Sequence, residues 1–295
     1  MRPLRHYAWL SIAAALATMA LKGAAWWLTG SVGLLSDAIE SFVNLAGALM
    51  TLAMLTVAAR PADDGHAFGH SKAEYFASGF EGMLILLAAA GIAVAAVQRL
   101  LHPRELAQLG TGLAVSVVAS AINVAVAGTL LRAGRRHGSI ALEADAQHLL
   151  TDVWTSAGVL VGIGAVALTG RLWLDPVLAL LVAANILYTG IRLMSRSTAG
   201  LMDAALPSDQ QQVIATILDR YRASGLVFRA VRTRQAGARA FVSMHLLVPG
   251  SWTVQVGHGW ADRVEAEIRQ ALPHASVLTH LEPIEEQAPI GDEDR

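Results

Sequence analysis

The fold of this chain is decided by residues 107–131, which read AQLGTGLAVSVVASAINVAVAGTLL. No charged side chain occurs between Glu105 and Arg132, and small and β-branched apolar residues dominate the stretch. A helix needs about 20 mostly apolar residues to cross the hydrocarbon core of a bilayer. Residues 107–131 therefore predict a transmembrane helix.

Five further windows have a similar length and composition. They are residues 7–29, 33–59, 76–98, 141–170 and 173–194. Small residues are dense in them, as in Ala13–Ala15 and Ala88–Ala90, and small residues let helices approach closely in lipid. We therefore expect a membrane-embedded, all-α bundle of six helices within residues 1–206.

The overall composition agrees with a membrane protein and excludes several other classes. Of the 295 residues, 54% are apolar and 15% are charged, whereas soluble domains carry about 25% charged residues. The net charge of −1 gives no support for nucleic-acid binding. The chain has no cysteine, which excludes disulfides, thiolate metal sites and cysteine nucleophiles.

Basic residues in the short loops predict the orientation of the bundle. On the side of the two termini lie Arg2, Arg5, Arg60, Lys72, Arg132, Arg135, Arg136, Arg192 and Arg196. On the other side lie Arg99, Arg104 and Arg171. By the positive-inside rule, both termini are expected in the cytoplasm. The N-terminal residues lack organelle-targeting features, so we expect a multi-pass protein of a bacterial cytoplasmic (inner) membrane.

The composition changes to that of a soluble domain after Leu206. Residues 207–295 contain 9 basic and 11 acidic side chains. Ser208 and Gln211 fit a capping box at the start of a helix, and periodicity predicts a second helix and three strands. The second helix is expected over residues 253–272, and the strands over 227–234, 239–248 and 275–281. We expect a cytoplasmic α+β domain of order αββαβ, ferredoxin-like, over residues 207–285, and a disordered acidic tail over 286–295.

Two of the predicted spans carry polar side chains in the same pattern. The spacing is i, i+3, i+7, and the residues are Asp37, Glu40 and Asn44 in span two and Asp145, His148 and Asp152 in span five. This spacing puts three side chains on one face of a helix. If the two faces meet, Glu40, Asn44, His148 and Asp152 can hold a divalent cation in tetrahedral geometry near mid-membrane.

A structural hydrogen-bond network or ion pair between helices is the alternative explanation for these stripes. For a single polar residue in a span, that alternative would be favoured. Two matched stripes favour metal or proton handling, because ionisable groups within a bilayer are costly and mark functional sites. Lys22 in span one is a cation that can pair with one of these carboxylates.

Histidine and acidic residues also accumulate outside the spans. Asp63, His66 and His70 lie close together in the loop after span two, although such residues in a loop are more often solvated than metal-binding. The candidates in the soluble domain are His245, His258, His280 and Glu282. Together they allow an accessory cytoplasmic metal site, which spacing alone does not establish.

The loop over residues 61–74 reads PADDGHAFGHSKAE, and His148 and Asp152 follow in span five with three residues between them. Combined with six spans and an αββαβ domain, these motifs resemble the cation diffusion facilitator family of divalent-metal/proton antiporters. The resemblance covers nearly the whole chain. It implies a homodimer that is joined through its C-terminal domains.

The resemblance also implies roles for individual residues. It implies a transport site of Glu40, Asn44, His148 and Asp152, supported by Asp37, Ser41 and Asp145. It implies a loop metal site of Asp63, His66 and His70, and cytoplasmic-domain metal sites that include His245, His258, His280 and Glu282. It implies a charge interlock of Lys72 and Asp203 that holds the dimer together.

Two positions depart from the family pattern. Relatives often carry two aspartates on span two, where this chain has Glu40 and Asn44; the asparagine cannot titrate, so metal preference and proton number are open. Some relatives carry a histidine at the position of Arg229, where it helps to bind a pair of cytoplasmic ions. Arginine does not ligate metals, so the paired site is expected to be reduced or altered.

We therefore expect proton-coupled efflux of divalent transition metals from the cytoplasm by alternating access. Zinc is the first choice for a tetrahedral site of imidazole and oxygen donors, with iron, manganese and cobalt as further substrates. His148 is the natural proton carrier, since imidazole titrates near neutral pH.

Three other functions remain open at this stage. A membrane-anchored metal sensor or scaffold would bind metal without transporting it, but it would need only the soluble domain. A metal-dependent intramembrane enzyme would need a nucleophile or an HExxH motif, and the sequence has neither arrangement. A carrier of organic cations would leave the histidines and acids of the loop and the C-terminal domain unexplained.

Overall fold

The computed structural model describes residues 4–29, 32–102, 110–171 and 173–285. The side chains of residues 28–40, 110–113, 159–160, 162–164, 166–167 and 175 lie outside the described part. The predicted tail over residues 286–295 lies outside it as well. The chain divides into two compact units, Met1–Thr198 and Ala199–Arg295, and each is described here by itself.

Six long helices build the N-terminal part of the chain, as the hydropathy pattern predicts. They are α1 (Leu4–Thr29), α2 (Val32–Ala58), α3 (Ala73–Leu101), α4 (Gly110–His137), α5 (Ile140–Thr169) and α6 (Leu174–Leu201). Within the described residues, α1, α2, α3, α4 and α6 contain stretches long and apolar enough to cross a membrane. Helix α5 is 30 residues long and carries the acidic residues of the second polar stripe in its first half. The prediction of a six-helix membrane bundle is confirmed.

Helix α5 lies at the centre of the bundle, in contact with α1, α2, α3 and α4. The core around it is made largely of alanine and leucine; Ala127, Ala141 and Leu142 are fully buried. Alanine allows the helix axes to approach closely, which is how packing is achieved where lipid provides no hydrophobic drive between helices. This close packing brings side chains of α2, α3 and α4 against the polar face of α5.

The outward faces of the helices are apolar. Large side chains such as Trp9, Leu87 and Val94 are more than half exposed. In water such a surface would be a strong aggregation hazard, whereas in a bilayer it is solvated by acyl chains. The exposed residues thus support the membrane location that the composition predicts.

Helices α3 and α6 approach each other closely through glycine. A Cβ atom added at Gly82 would lie 3.1 Å from the Met194 side chain, and one at Gly190 would lie 2.8 Å from Leu86. The Ser197 hydroxyl of α6 donates a hydrogen bond of 2.6 Å to the carbonyl of Tyr75 on α3. Helix α3 is therefore held firmly, and this fixes the position of its buried acidic residues.

The C-terminal unit has the predicted order αββαβ. Its elements are α7 (Ser208–Arg222), β1 (Val227–Ala236), β2 (Arg239–Val248), α8 (Val254–Ala271) and β3 (Ala275–Pro283). Strand β1 pairs antiparallel with β2, and β2 pairs parallel with β3 through the α8 crossover. Both helices cover one face of the sheet, where Met244, Leu246 and Ile268 are buried.

The start of α7 differs from the predicted capping box. Pro207 occupies the N-cap position, and the Gln211 side chain donates a hydrogen bond of 2.6 Å to the carbonyl of Leu206. The Gln211 side chain therefore reaches back past the helix start rather than to the amide of Ser208. The predicted reciprocal bond between Ser208 and Gln211 is wrong, although the helix does begin at Ser208.

Candidate metal-transport site

The polar stripe of α5 is buried inside the bundle. Asp145, His148 and Asp152 are at most 8% exposed, and they face α1, α2, α3 and α4 rather than lipid. Their spacing on α5 aligns them along one side of the helix, as the sequence predicts. This buried stripe is the framework of the candidate site.

Asn44 of α2 links two residues of this stripe. Its carboxamide oxygen lies 2.7 Å from Nε2 of His148, and its carboxamide nitrogen donates a short hydrogen bond to Oδ2 of Asp152. Because the nitrogen is engaged by the carboxylate, the oxygen is the acceptor, and Nε2 of His148 carries the ring hydrogen in this arrangement. Asn123 of α4 also donates to Oδ2 of Asp152, at 3.3 Å.

Three further predicted residues lie on α2, namely Asp37, Glu40 and Ser41. The side chains of Asp37 and Glu40 lie outside the described residues. The helix itself is described from Val32, so Glu40 precedes Asn44 by four residues, about one turn. Ser41 is fully buried.

Asp145 lies at the N-terminal end of the stripe on α5. Its Oδ1 accepts a hydrogen bond of 3.0 Å from the Ser11 hydroxyl of α1. Its second oxygen has no hydrogen-bond partner among the described residues. Asp145 thus lies beside the group formed by Asn44, His148 and Asp152 rather than within its hydrogen bonds.

Glu81 of α3 belongs to this environment, and the sequence analysis did not identify it. The residue is fully buried, and its Oε2 lies 3.5 Å from Nδ1 of His148. The signal that could have found it is its position as an acidic residue inside the third predicted span. Asn123 and Ser11 were missed for a different reason: isolated neutral polar residues in a span carry no pattern.

The loop between α2 and α3 brings Asp63, His66 and His70 together. One ligand atom from each lies within 4.8 Å of the others. Oδ1 of Asp63 is 3.2 Å from Nδ1 of His66, and Oδ2 is 3.3 Å from Nε2 of His70. The backbones of Asp63 and His66 also form a β-bridge, which shapes the loop.

The electrostatics of this loop favour an ionised Asp63. Desolvation acts to raise the pKa of Asp63, but hydrogen bonds from the side chain and backbone of His66, together with the charges of His70 and His66, outweigh it. The pKa of Asp63 is therefore below its ordinary value of 3.8. A carboxylate beside two imidazoles is a donor set suited to zinc.

In the C-terminal domain, His245, His280 and Glu282 lie together. His245 and His280 are register partners on β2 and β3, with ring centroids 5.2 Å apart. Oε1 of Glu282 is 2.7 Å from Nδ1 of His245 and 3.8 Å from Nε2 of His280. Arg229 is the register partner of His245 on β1, so its side chain shares that face of the sheet.

His258 has a different neighbour from the other predicted residues of this domain. It pairs with Asp262 on α8, at 3.4 Å. In the part of the chain that the structure describes, the ligand atoms of the domain's histidines do not converge as those of the loop do. Of the predicted residues of this domain, His245, His280 and Glu282 thus lie together on the sheet, whereas His258 pairs with Asp262 on α8.

The two residues of the predicted charge interlock lie in different units. Lys72 stands at the N-terminus of α3 in the first unit. Asp203 follows α6 in the second, with a φ of 59°, and accepts a hydrogen bond of 2.9 Å from Nη1 of Arg234. The interlock therefore remains a prediction.

Six long helices, five of which are apolar enough in their described residues to cross a membrane, surround buried imidazole, carboxylate and carboxamide groups and define the molecule as a membrane protein. Comparison with known families agrees. The model described as the cation efflux transmembrane domain matches residues 8–202, and the cation efflux protein cytoplasmic domain matches residues 206–284.

Individual relatives match over most of their length. An uncharacterised transporter of Synechocystis sp. is 52% identical over 285 residues, or 97% of this chain and 92% of the relative. The cation-efflux pump FieF of Escherichia fergusonii is 33% identical over 88% of this chain and 86% of the pump. FieF of Klebsiella pneumoniae is 32% identical over 92% of this chain and 90% of the pump.

The chain belongs to the cation diffusion facilitator family of cation-efflux proteins. It is a multi-pass membrane protein of a bacterial family of divalent metal transporters, not an enzyme. Its cytoplasmic domain is the dimerisation domain of that family.

Proposed function

We propose that this protein exports divalent transition metals from the cytoplasm in exchange for protons, with zinc as the preferred substrate. The transport site consists of Glu40, Asn44, His148 and Asp152. The observation that carries the proposal is the buried contact of Asn44 with both His148 and Asp152 across α2 and α5. Three donor types therefore meet at one point inside the membrane bundle.

The donor chemistry favours zinc over softer cations. Imidazole nitrogen and carboxylate oxygen are common zinc ligands, and four such donors suit tetrahedral geometry. Iron, manganese and cobalt are further substrates, because a site rich in oxygen donors discriminates weakly among first-row dications. The chain has no thiolate to favour cadmium.

Metal and proton exclude each other at Nε2 of His148. In the described arrangement Nε2 donates its hydrogen to Asn44, so a metal can bind there only when the neutral ring carries its single hydrogen on Nδ1. A protonated ring carries hydrogens on both nitrogens and cannot bind the metal. In the inward-facing state the deprotonated donors take up metal. In the outward-facing state, protons on His148 or a carboxylate release the metal and allow the empty carrier to return. This exclusion couples efflux to proton entry.

The remaining predicted features have roles in the same cycle. Both termini are cytoplasmic, and Asp63, His66 and His70 capture metal at the cytoplasmic loop before it reaches the buried site. The domain over residues 207–285 binds metal through His245, His280 and Glu282, with His258 nearby on α8. Metal binding there tightens the homodimer and shifts it toward a transport-ready state. Lys72 and Asp203 interlock the dimer near the membrane.

Flux measured in proteoliposomes tests this function. Purified protein in vesicles with an imposed pH gradient should move zinc in the direction opposite to the proton flow. The zinc flux should collapse when the pH gradient is dissipated. His148→Ala and Asp152→Ala should each reduce flux below about a tenth of wild type. His137→Ala and Asp209→Ala, which replace the same residue types outside the site, serve as controls.

The same measurement distinguishes a transporter from a metal sensor or scaffold. A protein that only senses metal would bind zinc but carry no flux at any gradient. Unchanged flux and stoichiometry in both site variants would show that the site is misassigned.

A further inference from the structure

Glu81 is a buried ionisable residue to which the proposed transport cycle gives no role. It lies on α3 with no exposed surface, and neither carboxylate oxygen has a hydrogen-bond partner among the described residues. Burying a carboxyl group without a hydrogen-bond partner destabilises the folded protein. Such a group calls for a functional explanation, and interaction with a ligand that is bound only part of the time is one.

The imidazole of His148 faces the Glu81 carboxyl group. Oε2 of Glu81 lies 3.5 Å from Nδ1, while Asn44 lies on the opposite side of the ring, 2.7 Å from Nε2. Nδ1 itself has no hydrogen-bond partner within the described part of the chain. The ring is thus placed between a carboxamide that contacts one nitrogen and a carboxylate that faces the other.

We propose that Glu81 is a positioning residue of the transport site, an inference that rests on the proposed function. When Nε2 of His148 binds the metal, Glu81 accepts the ring hydrogen at Nδ1. It also supplies the negative charge that a carboxamide at position 44 does not provide. Glu81 thus acts through His148 and does not itself contact the metal.

The tautomer of His148 makes this arrangement necessary. A neutral imidazole has one hydrogen, and a nitrogen that ligates a metal cannot carry it. The hydrogen now on Nε2 must therefore reside on Nδ1 in the metal-bound state. Metal-ligating histidines usually donate this second hydrogen to a carboxylate or carbonyl, which fixes the ring and raises its basicity. Glu81 is the acceptor on that side of the ring.

Helix α2 leaves room for the Glu81 carboxyl group. Gly47 lies three residues beyond Asn44, and a Cβ atom there would be 2.6 Å from Oε1 of Glu81. Any larger residue at this position would push the carboxyl group out of its place. The same helix therefore supplies the neutral ligand Asn44 and the gap that admits a charge from α3.

Zinc binding to the purified full-length protein tests the inference by isothermal titration calorimetry. Glu81→Gln keeps the size and one acceptor oxygen but removes the charge, and it should raise Kd for zinc at the buried site by about 10- to 100-fold. Adding Asn44→Asp returns a charge to the same site. The double variant Glu81→Gln/Asn44→Asp should recover zinc affinity to within about threefold of wild type, or roughly 0.7 kcal/mol.

Glu74 offers a matched control on the same helix. It is also fully buried on α3, but it accepts a short hydrogen bond from Ser139. Glu74→Gln should leave Kd for zinc within about threefold of wild type, and Asn44→Asp should add no more in this background than the about tenfold gain expected in the wild type. A loss of affinity in Glu74→Gln as large as that in Glu81→Gln would mean that removing any buried charge from α3 weakens the site, and it would overturn the inference. So would a Glu81→Gln protein that binds zinc as wild type does, or a double variant without recovery.

A second variant keeps the test valid if Glu81→Gln does not fold. Gly47→Ala retains the carboxyl group but displaces it from His148, and it should weaken zinc binding at least about threefold. Unchanged affinity in this variant contradicts the inference. The proposed function is judged separately, by wild-type flux in proteoliposomes. A wild type that binds zinc without flux removes the transport proposal, while the affinity series still decides the role of Glu81.

Discussion

The carboxamide oxygen of Asn44 lies 2.7 Å from Nε2 of His148, across the contact between α2 and α5. The carboxamide nitrogen donates to Asp152 at the same time, so one neutral side chain connects a base and an acid. A second carboxylate at this position would stand directly against Asp152 without a metal between them. Asparagine therefore stabilises the metal-free arrangement and lowers the charge of the site.

Asn44→Asp should change which metals the protein prefers. An added carboxylate strengthens binding of all dications, and it favours zinc most because two carboxylates and an imidazole complete a tetrahedral set with Glu40. We expect zinc to gain about tenfold in affinity and the ratio of zinc to manganese flux to rise. Metal-by-metal uptake in proteoliposomes measures both.

The control for this change is Asn123→Asp, which alters the other amide that contacts Asp152. It lies on α4, at 3.3 Å, and is not one of the proposed ligands. An unchanged ranking of metals in Asn44→Asp would show that position 44 does not determine selectivity.

Asp63 should keep its contribution to metal binding at the loop in mild acid. The pKa of Asp63 is held below 3.8, so the carboxylate is ionised in the folded loop at every pH above that range. Its contribution is lost only as pH falls through the lowered pKa. Asp63→Asn should therefore weaken zinc binding at the loop by the same factor, about tenfold, near pH 7 and near pH 5.5.

The quantity to compare is the ratio of the zinc Kd of Asp63→Asn to that of the wild type at each pH. Calorimetry at the two pH values measures this, and Asp64→Asn provides the control at the neighbouring aspartate. A factor that shrinks markedly at the lower pH would mean that Asp63 is already protonated there.

Arg229→His should increase the metal capacity of the cytoplasmic domain. Arg229 is the register partner of His245, and His245 in turn pairs with His280. A histidine at position 229 would bring a third imidazole to the same face of the sheet. Equilibrium dialysis should find about one more zinc per protomer in this variant.

Arg232→His is the matched control, since this residue pairs with Ser243 beyond the bulge in β1. Its imidazole would lie further along the strand from His245. Equal zinc uptake by both variants would show that added histidine alone, and not the register with His245, produces the effect.

Hydropathy was sufficient to predict the bundle, because each helix that crosses a bilayer needs about 20 mostly apolar residues and such stretches are easily recognised in a sequence. Period-two alternation was likewise sufficient for β2, which runs from Arg239 to Val248 as predicted, whereas β1 continues to Ala236, two residues beyond its predicted end. The predicted span over residues 76–98 is shorter than α3, which runs from Ala73 to Leu101, because helices continue past the hydrocarbon region. The failed capping box at Ser208 shows the limit of short motifs. Gln211 donates its hydrogen bond to the carbonyl of the buried residue Leu206 instead of to the backbone of Ser208.

The polar stripes could be found because the same spacing occurs twice. Glu81 could not be assigned in this way, since its relation to His148 depends on how α3 rotates against α5. That rotation is set by tertiary packing, including the close approach of α3 to α6 at Gly82. A lone carboxylate in a span indicates a function, but only the packing of helices identifies its partner.

A structure determined with zinc bound, with anomalous diffraction to locate the ion, tests the central claim most directly. The account predicts one strong peak between α2 and α5, with donor atoms of Glu40, Asn44, His148 and Asp152 at about 2.0–2.2 Å. It also predicts that Asn44 no longer bridges His148 and Asp152. A zinc-loaded structure in which these four side chains point to different neighbours, with no ion between them, would contradict it.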